Sequence, residues 1–377
     1  MSKIFYTLAM LCIGIITTQA QSLESITPGK LWPDDKGEHI NAHGGCVIYH
    51  EGTYYWYGEN RPERGFTTEV GIGVYSSRDL TNWKNEGVAL AVTEQADDDI
   101  ERGCIMERPK VVYNAGTEQF VMLFHLELEG RGYEAARVGF AVSNTPTGPF
   151  TFIRSLRPNA GKWPMDFTEH DIERAQALDE AEYREWWTPE WRRAVNHGLL
   201  LKRDLPGGQM SRDMTVFVDD DGKAYHIHSA EENLTLNIAE LTPDYLDYTG
   251  RYIRLAPGGH NEAPTLFKRD GVYWMITSGC TGWEPNEARM FKSDSIWGPW
   301  EQLPSPFRGE DAEKSFHTQG TYIFKVEGTE QYIFMADRWM PRSLKYSRHI
   351  WLPIEFDADG TPELHWKDEW KIVHHPQ

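Results

Sequence analysis

Cysteine is scarce in this sequence, and the cysteines present have no spacing typical of a metal site or a disulfide framework. Of the four cysteines, Cys12 lies in the N-terminal apolar segment, which leaves Cys46, Cys104 and Cys280. An odd number at unrelated spacings, with no Cys-x-x-Cys pair, argues against a zinc site and against a disulfide-stapled fold. We expect buried free thiols, with a single disulfide between Cys46 and Cys104 as the alternative.

Positive charge is also in short supply. The chain has 38 Lys and Arg against 57 Asp and Glu, a formal net charge of −19. Such a balance argues against nucleic acid or an anionic membrane as partner, because both repel an acidic surface. The acidity indicates a solvated surface and suits a neutral ligand.

Long hydrophobic runs are missing, apart from one at the N-terminus. Residues 4–16 are apolar, follow Lys3 and precede Thr-Gln-Ala at 18–20. This pattern predicts a secretory signal peptide at residues 1–20, since the run is too short to span a bilayer. We therefore expect export to the periplasm or the extracellular space without membrane insertion, and one catalytic domain over residues 21–377.

One hairpin phrase occurs five times along the chain. Each copy has a short apolar run, a turn with glycine, an aromatic-rich run and then a third strand; the turn glycines are Gly52, Gly116, Gly222, Gly271 and Gly328. Aromatic-rich meanders at this spacing are typical of β-propeller blades. The sequence therefore predicts an all-β, five-bladed β-propeller, which residues 364–372 close as an outer strand. A β-sandwich is the alternative, but it does not explain five copies of one phrase.

A helical insertion at about residues 160–200 interrupts the repeat between the second and third blades. Thr168 is in a position to cap a helix, with Asp171 three residues later as a variant of the capping box. Trp186, Trp187 and Trp191 would form the apolar stripe of this segment. Because the segment returns the chain to an inner strand, we expect it to border the mouth of the site.

Polar residues precede each inner strand, and in a propeller these positions surround one mouth of the central channel. Three carboxylates at one focus are more than a scaffold needs, and paired carboxylates are the apparatus of glycoside hydrolysis. The candidates from the five blades are Asn41, His43, Glu107, Arg108, Asp213, Glu262, His317 and Gln319.

Each of these residues also has a structural interpretation. Arg108 and Arg212 would neutralise Glu107 and Asp213 in a ring of ion pairs. His43 and His317 fit core histidines or ligands of an ion in the channel. The Asp-Asp-Asp-Gly run at 219–222 is a hairpin turn, since no acidic ligand follows at the spacing of a calcium loop. Only the convergence of these residues at one mouth of the channel favours a functional interpretation over a structural one.

Aromatic side chains are abundant, with 15 Trp and 17 Tyr. Sugars present apolar faces that stack on such rings, so Trp56, Trp283 and Trp339 are candidates for a subsite wall. Packing between blades is the ordinary role of most of these rings.

The sequence resembles glycoside hydrolase family 43, five-bladed propellers that act on polysaccharides containing arabinose, xylose or galactose. Residues 214–225 and Glu-Ala-Pro at 262–264 are similar to the family's third- and fourth-blade phrases. The exo-β-1,3-galactanase branch is most similar, in Ile-Asn-Ala-His-Gly at 40–44, Glu-Arg-Pro-Lys-Val at 107–111, Ser-Gly-Cys-Thr-Gly-Trp at 278–283 and Asp337-Arg338-Trp339. The likeness extends over nearly the whole mature chain except the helical insertion.

The resemblance implies a role for each candidate. Glu262 would be the general acid of an inverting hydrolase and Asp213 would tune its pKa. The first blade has no carboxylate where the family's base stands, and Gln319 matches the glutamine thought to replace it in the galactanase branch. Glu107 would touch substrate and support the acid. The set expected to bind substrate is Asn41, His43, Arg108, Trp283, His317, Asp337 and Arg338.

Three classes of function remain open at this point. The first is release of galactose from β-1,3-galactan, with α-L-arabinofuranosidase or β-D-galactofuranosidase activity as the alternative within the family. The second is a carbohydrate-binding propeller without catalysis, and the third is a scaffold propeller. We expect a plant-type polysaccharide or oligosaccharide as partner, a monomer, and no required cofactor or metal, although a structural ion in the central channel stays open.

Overall fold

The structure, a computed structural model, describes residues 22–373. The described chain is an all-β propeller, which confirms the predicted class. Its strands form six sheets. The sequence predicted five blades, so the predicted number is wrong by one sheet. The signal peptide expected at residues 1–20 lies outside the described residues.

The first two sheets are four-stranded antiparallel meanders in which strands adjacent in sequence pair. The first contains β1 (His43–His50), β2 (Thr53–Glu59), β3 (Gly71–Ser77) and β4 (Lys84–Ala91). The second contains β5 (Ile105–Asn114), β6 (Gln119–Glu127), β7 (Arg137–Ser143) and β8 (Thr151–Leu156).

The third and fourth sheets repeat this arrangement. The third contains β9 (Met214–Val218), β10 (Ala224–Ala230), β11 (Thr235–Leu241) and β12 (Tyr248–Leu255). The fourth contains β13 (Glu262–Arg269), β14 (Val272–Ser278), β15 (Arg289–Ser293) and β16 (Glu301–Leu303). Between β13 and β14, Asp270 and Gly271 have φ of 52° and 82°, and a two-residue turn with both positions left-handed matches the twist of a hairpin.

The last two sheets have three strands each, and the sixth is the one that the sequence did not predict. Its strands β17 (Phe307–Arg308) and β21 (Glu355–Phe356) have two residues each, too short to show any alternation. Residues 364–372 were expected to close the ring, but β22 (Pro362–His365) pairs with β17 and β21 instead. The fifth sheet contains β18 (Gln319–Lys325), β19 (Tyr332–Arg338) and β20 (Arg348–Pro353).

Five strands contact one another in a closed circuit: β1 with β5, β5 with β9, β9 with β13, β13 with β18, and β18 with β1. The register of β1, β5 and β13 is broken near its start by a bulge. Each bulge contains a left-handed residue, respectively Gly44, Arg108 and Ala263. Bulges re-aim side chains next to active sites, and here they lie at one end of the circuit.

The chain between β8 and β9 contains three α-helices. They are α1 (Glu169–Ala177), α2 (Pro189–Asn196) and α3 (Leu199–Asp204); short 3₁₀ helices occur at Glu180–Glu182, Ala312–His317 and Leu344–Tyr346. Thr168 caps α1 and Asp171 completes the capping box, as their spacing indicated. The predicted tryptophan stripe is wrong, because Trp186 and Trp187 precede α2 and are 44% and 46% exposed, whereas Trp191 is buried.

The core is divided among the spaces between neighbouring sheets. Trp56 is 1% exposed and packs there against Trp32, Trp83 and Trp351, so it is not part of a sugar-binding wall. Cys46 and Cys104 are free and buried, and Cys280 is free and half-buried. Among the described helices, none has the length and apolar character needed to cross a membrane.

Candidate active site

A cavity of about 360 Å³ collects side chains from the five sheets whose first strands form the circuit. Seven of the predicted site residues line it: Glu107, Arg108, Asp213, Glu262, Trp283, Gln319 and Trp339. The other lining residues are Glu59, Arg61, Phe66, His125, Tyr133, Arg212, Asn233 and Gly282. A larger cavity of about 650 Å³, between β8 and the start of β12, includes none of the predicted residues.

Arg108 connects three parts of the cavity. Its Nε and Nη2 donate to Asp213 Oδ1 and Oδ2 at 3.1 and 2.9 Å, and Nη2 also donates to Gln319 Oε1 at 2.6 Å. The two parallel hydrogen bonds fix the orientation of the guanidinium group relative to the carboxylate. Asp213 Oδ2 also accepts from the backbone N–H of Ala263 at 3.0 Å, so Asp213 lies beside the first residues of β13.

Glu262 is the first residue of β13 and has a neutral partner. Its Oε1 accepts from Nδ2 of Asn233 at 2.7 Å. Burial, followed by the charge of Asp213, raises the pKa of Glu262 from 4.5 to about 7. A carboxyl group with this pKa carries its proton in roughly half of the molecules at pH 7, and a general acid must carry a proton to donate.

Glu107 lies across the same cavity and has charged partners. Its Oε1 accepts from Arg61 Nη2 at 2.8 Å and from the hydroxyl of Tyr133 at 3.0 Å, while Oε2 lies 3.2 Å from Nδ1 of His125. Burial alone would raise the pKa of Glu107, but Arg61 and His125 hold it well below its ordinary value. Glu107 is therefore a carboxylate at any pH near neutrality.

Glu59 occupies the first-sheet side of the cavity, which the sequence left without a carboxylate. It ends β2, pairs with Arg61 Nε at 2.5 Å and accepts from the backbone N–H of Arg108 at 2.8 Å. A Cβ on Gly44 would lie 2.1 Å from Glu59 Oε1, and Gly44 has φ of 61°, so only glycine fits there. Burial raises the pKa of Glu59. Sequence reasoning missed it because it follows the second strand of a hairpin rather than preceding the first.

Gln319, the first residue of β18, is held at both ends of its amide. Oε1 accepts from Arg108 and from Trp339 Nε1 at 2.9 Å, and Nε2 donates to Ser278 Oγ at 3.0 Å. Two donors on one atom identify it as the oxygen. Trp339 also lies edge-to-face against Trp283, with ring centroids 5.8 Å apart, and Trp283 is 47% exposed.

Asn41, His43 and Asp337 lie behind the cavity rather than on its surface. Asn41 holds the loop of Arg61, accepting from its N–H at 3.0 Å and donating to its carbonyl at 2.9 Å. Asp337 Oδ1 lies 3.1 Å from Nδ1 of His43 and 3.0 Å from Nδ1 of His349. These contacts hold the residues behind the cavity in place.

Within residues 22–373, two groups of side chains have ligand atoms within 4.8 Å of one another, as a metal ion would need: His39, His43 and His349, and Glu107, His125 and Asp213. In the first group the ring nitrogens of His43 and His349 face oxygen acceptors on Asp337 and the backbone. In the second group Glu107 and Asp213 already pair with arginines.

His317 and Arg338 line a neighbouring cavity of about 150 Å³, which shares Trp283, Gln319 and Trp339 with the first and also includes Asp337. His317 is half-exposed and lies 3.2 Å from Asp311, with 40% of its side chain accessible. Arg338 donates to the carbonyl of Phe316 at 2.7 Å. Neither side chain is brought to the carboxylates.

The helices between β8 and β9 lie on the side of the cavity that holds Asn233. Arg203 of α3 pairs with Glu232 at 3.0 Å, and Glu232 pairs with Arg212 of the cavity at 3.1 Å. Trp187 contacts the ring of His260, two residues before Glu262. This position agrees with the expectation that the segment borders the mouth.

Comparisons with known proteins agree with this architecture. The sequence model described as glycosyl hydrolases family 43 matches residues 185–362. A GH43 β-1,3-galactosidase solved with galactodeoxynojirimycin is 58% identical, with a TM-score of 0.91 over 92% of this chain and 100% of that one. The chain belongs to glycoside hydrolase family 43, as its sequence motifs predicted.

Two further relatives are less similar. An exo-β-1,3-galactanase from Clostridium thermocellum is 36% identical, with a TM-score of 0.75 over 92% of this chain and 66% of that one. A β-D-galactofuranosidase from Aspergillus niger is 28% identical over 136 residues, which is 35% of this chain. The match spans only 39% of that curated relative's length.

Proposed function

We propose that this chain is an exported, inverting exo-β-1,3-galactanase that releases galactose from the ends of β-1,3-galactan chains. The observation that carries the proposal is the pairing, in one cavity, of a protonatable Glu262 with Asp213, Arg108 and Gln319. The 58% identity to a β-1,3-galactosidase over its whole length supports galactose as the released sugar.

In the proposed reaction Glu262 donates its proton to the glycosidic oxygen as the bond to the anomeric carbon breaks. Asp213, paired with Arg108, keeps the proton on Glu262 until that moment by its negative charge. Water attacks the anomeric carbon from the opposite face, which inverts it. Inverting enzymes leave about 6.5–9.5 Å between the two participating groups for this water.

Gln319 is our proposed partner of the attacking water. A neutral amide is a poor base, and the donors Arg108 and Trp339 on Oε1 disfavour an imidic form, whose hydroxyl proton would face one of them. We therefore propose that Gln319 orients the water. Glu59, which lines the same cavity, is the proposed acceptor of the proton that the water loses on attack, because its pKa of about 7 suits a general base.

The remaining parts of the proposal concern the whole protein. We propose a signal peptide ending at Ala20, a single catalytic domain that functions as a monomer, and no required cofactor. The helices α1 to α3 would be an insertion into the propeller that contacts the longer parts of the substrate. Trp283, half-exposed at the mouth, would stack on a sugar ring.

β-D-Galactofuranosidase activity is the second candidate, because one relative has that name; α-L-arabinofuranosidase activity is a third. Incubating the mature protein with β-1,3-galactan, arabinan and a β-galactofuranoside, and identifying the released sugar by NMR, separates them. We expect galactose from galactan, with the α-anomer formed first. Binding without release would indicate a carbohydrate-binding propeller instead.

A further inference from the structure

Asn233, the partner of Glu262, lies in an unusual turn between β10 and β11. Three consecutive residues, Glu231, Glu232 and Asn233, have left-handed backbones with φ of 52°, 57° and 63°. Non-glycine residues rarely adopt this conformation, and a run of them persists only where the surroundings impose it. The turn therefore needs an external restraint.

Glu231 supplies one restraint through a buried ion pair. It is 0% exposed, and its Oε1 and Oε2 accept from Arg254 Nε and Nη2 at 2.6 and 2.7 Å. Arg254 also donates from Nη1 to the carbonyl of Asn196 at 3.1 Å and from Nη2 to that of Val195 at 3.0 Å. These carbonyls end α2, where a cation is favoured by unpaired oxygens and the helix dipole.

The apolar side of the same turn is fixed to the helices as well. Leu234 is 0% exposed and packs with Trp191, Val195 and Leu199. The turn that carries Asn233 is thus held to α2 by the ion pair and to α2 and α3 by Leu234.

We propose that Glu231 and Arg254 are positioning residues for hydrolysis, which hold Asn233 on Glu262 by tying its turn to the C-terminal end of α2. Neither residue lines the cavity that holds Glu262, so both act through Asn233. This inference rests on the proposed role of Glu262 as general acid.

A pair of substrates tests the inference. β-1,3-Galactobiose has a poor leaving group that needs protonation, whereas 2,4-dinitrophenyl β-galactoside has a leaving group that departs without it. A complete general acid contributes about 10²–10⁴-fold, so losing its alignment should cost roughly 10-fold or more on galactobiose only. We expect this selective loss in Arg254→Met and in Asn233→Ala, with a smaller loss in Arg254→Lys, which keeps the charge but not the fork.

The pH profile gives a second reading. Because the hydrogen bond from Asn233 favours the ionised form of Glu262, losing it should move the falling limb of kcat/KM on galactobiose to higher pH in Arg254→Met and Asn233→Ala alike. A purely structural defect would lower the whole profile without moving the limb.

Arg308→Met is the control. It breaks an Arg–Glu pair in the sixth sheet, Arg308 to Glu363 at 2.8 Å, which is partly exposed where the Glu231–Arg254 pair is buried. We expect an unchanged ratio between the two substrates. If Arg254→Met does not fold, Asn233→Ala and Arg254→Lys decide, since neither leaves a buried charge unpaired.

Two failures are distinguishable. If the folded variants lose both substrates equally, or neither, the positioning role is wrong. If the wild-type protein cleaves neither galactobiose nor the aryl galactoside but does cleave an arabinofuranoside, the proposed substrate is wrong. The positioning role is then decided by repeating the comparison with an arabinofuranoside pair.

Discussion

Two glutamates share the cavity and differ in every contact. Glu107 on β5 meets a guanidinium, an imidazole and a phenol, whereas Glu262 on β13 meets the amide of Asn233. The pKa of the first is held low by charge, and the pKa of the second is raised to about 7 by burial and by Asp213. Identical side chains therefore receive different properties from their neighbours: one is a fixed anion, and the other can hold a proton near neutral pH, as the proposed general acid must.

Replacing Gln319, which lines the same cavity, should have the largest effect. Gln319→Ala removes the group proposed to face the attacking water, and we expect turnover on galactan to be abolished with little change in melting temperature. His317→Ala is the comparison, because His317 lies in the neighbouring cavity. An inactive histidine variant beside an active glutamine variant would make Gln319 a substrate contact only.

Glu262→Gln tests the contrast between the two glutamates by replacing the proposed general acid. The amide keeps the shape but has no proton to donate, so we expect kcat on galactan to fall by about 10²–10⁴-fold. Circular dichroism and galactan binding should stay as in the wild-type protein. Ordinary turnover by this variant would contradict the assignment.

Glu107→Gln tests the same comparison at the other glutamate. The substitution removes the carboxylate that Arg61 and His125 share, but Arg61 keeps Glu59 and His125 keeps Glu127. The cost should therefore stay below the roughly 3–5 kcal/mol of leaving a buried charge unpaired. We expect a lower free energy of unfolding by denaturant titration, and activity reduced to the same degree on galactobiose and on the aryl galactoside. Selective loss on galactobiose would instead make Glu107 part of the acid.

The smallest effect concerns pH and stability. Burial alone would lower the pKa of His125, but Glu107 and Glu127 raise it from 6.5 to about 9. A raised pKa stabilises the fold fully below pH 6.5, and this contribution is lost as pH rises through 9. His125→Gln should therefore be less stable than wild type by a few kcal/mol at pH 6, with the difference shrinking toward pH 10. A difference independent of pH would indicate that His125 is neutral.

The sequence predicted the strands that repeat and the polar residues that precede them. Asp213, Glu262 and Gln319 start or precede inner strands, and Glu107 is the third residue of β5. The closed circuit of those strands brings the four side chains together. The sequence did not reveal Glu59 or Asn233, which reach the cavity from the far end of a second strand and from a turn. Those positions depend on bulges and left-handed residues, which have no periodic signature.

The fold was predictable to the same extent. Apolar and aromatic-rich runs around the turn glycines identified the long strands, but the sixth sheet is built from strands of two to four residues. Trp186 and Trp187 were assigned to a helical stripe by their spacing from Trp191, yet Thr188 caps α2 after them. A cap is decided by one side-chain hydrogen bond, and this outweighed the apolar pattern.

The falling limb of the pH profile is the most direct measurement of the central claim, that Glu262 is the acid. On galactobiose, kcat/KM should fall above pH 7, following the pKa of Glu262 near 7. With 2,4-dinitrophenyl β-galactoside the limb should disappear, because that leaving group needs no proton. A limb at the same pH on both substrates would contradict the account, since the titrating group would then serve a step other than leaving-group protonation.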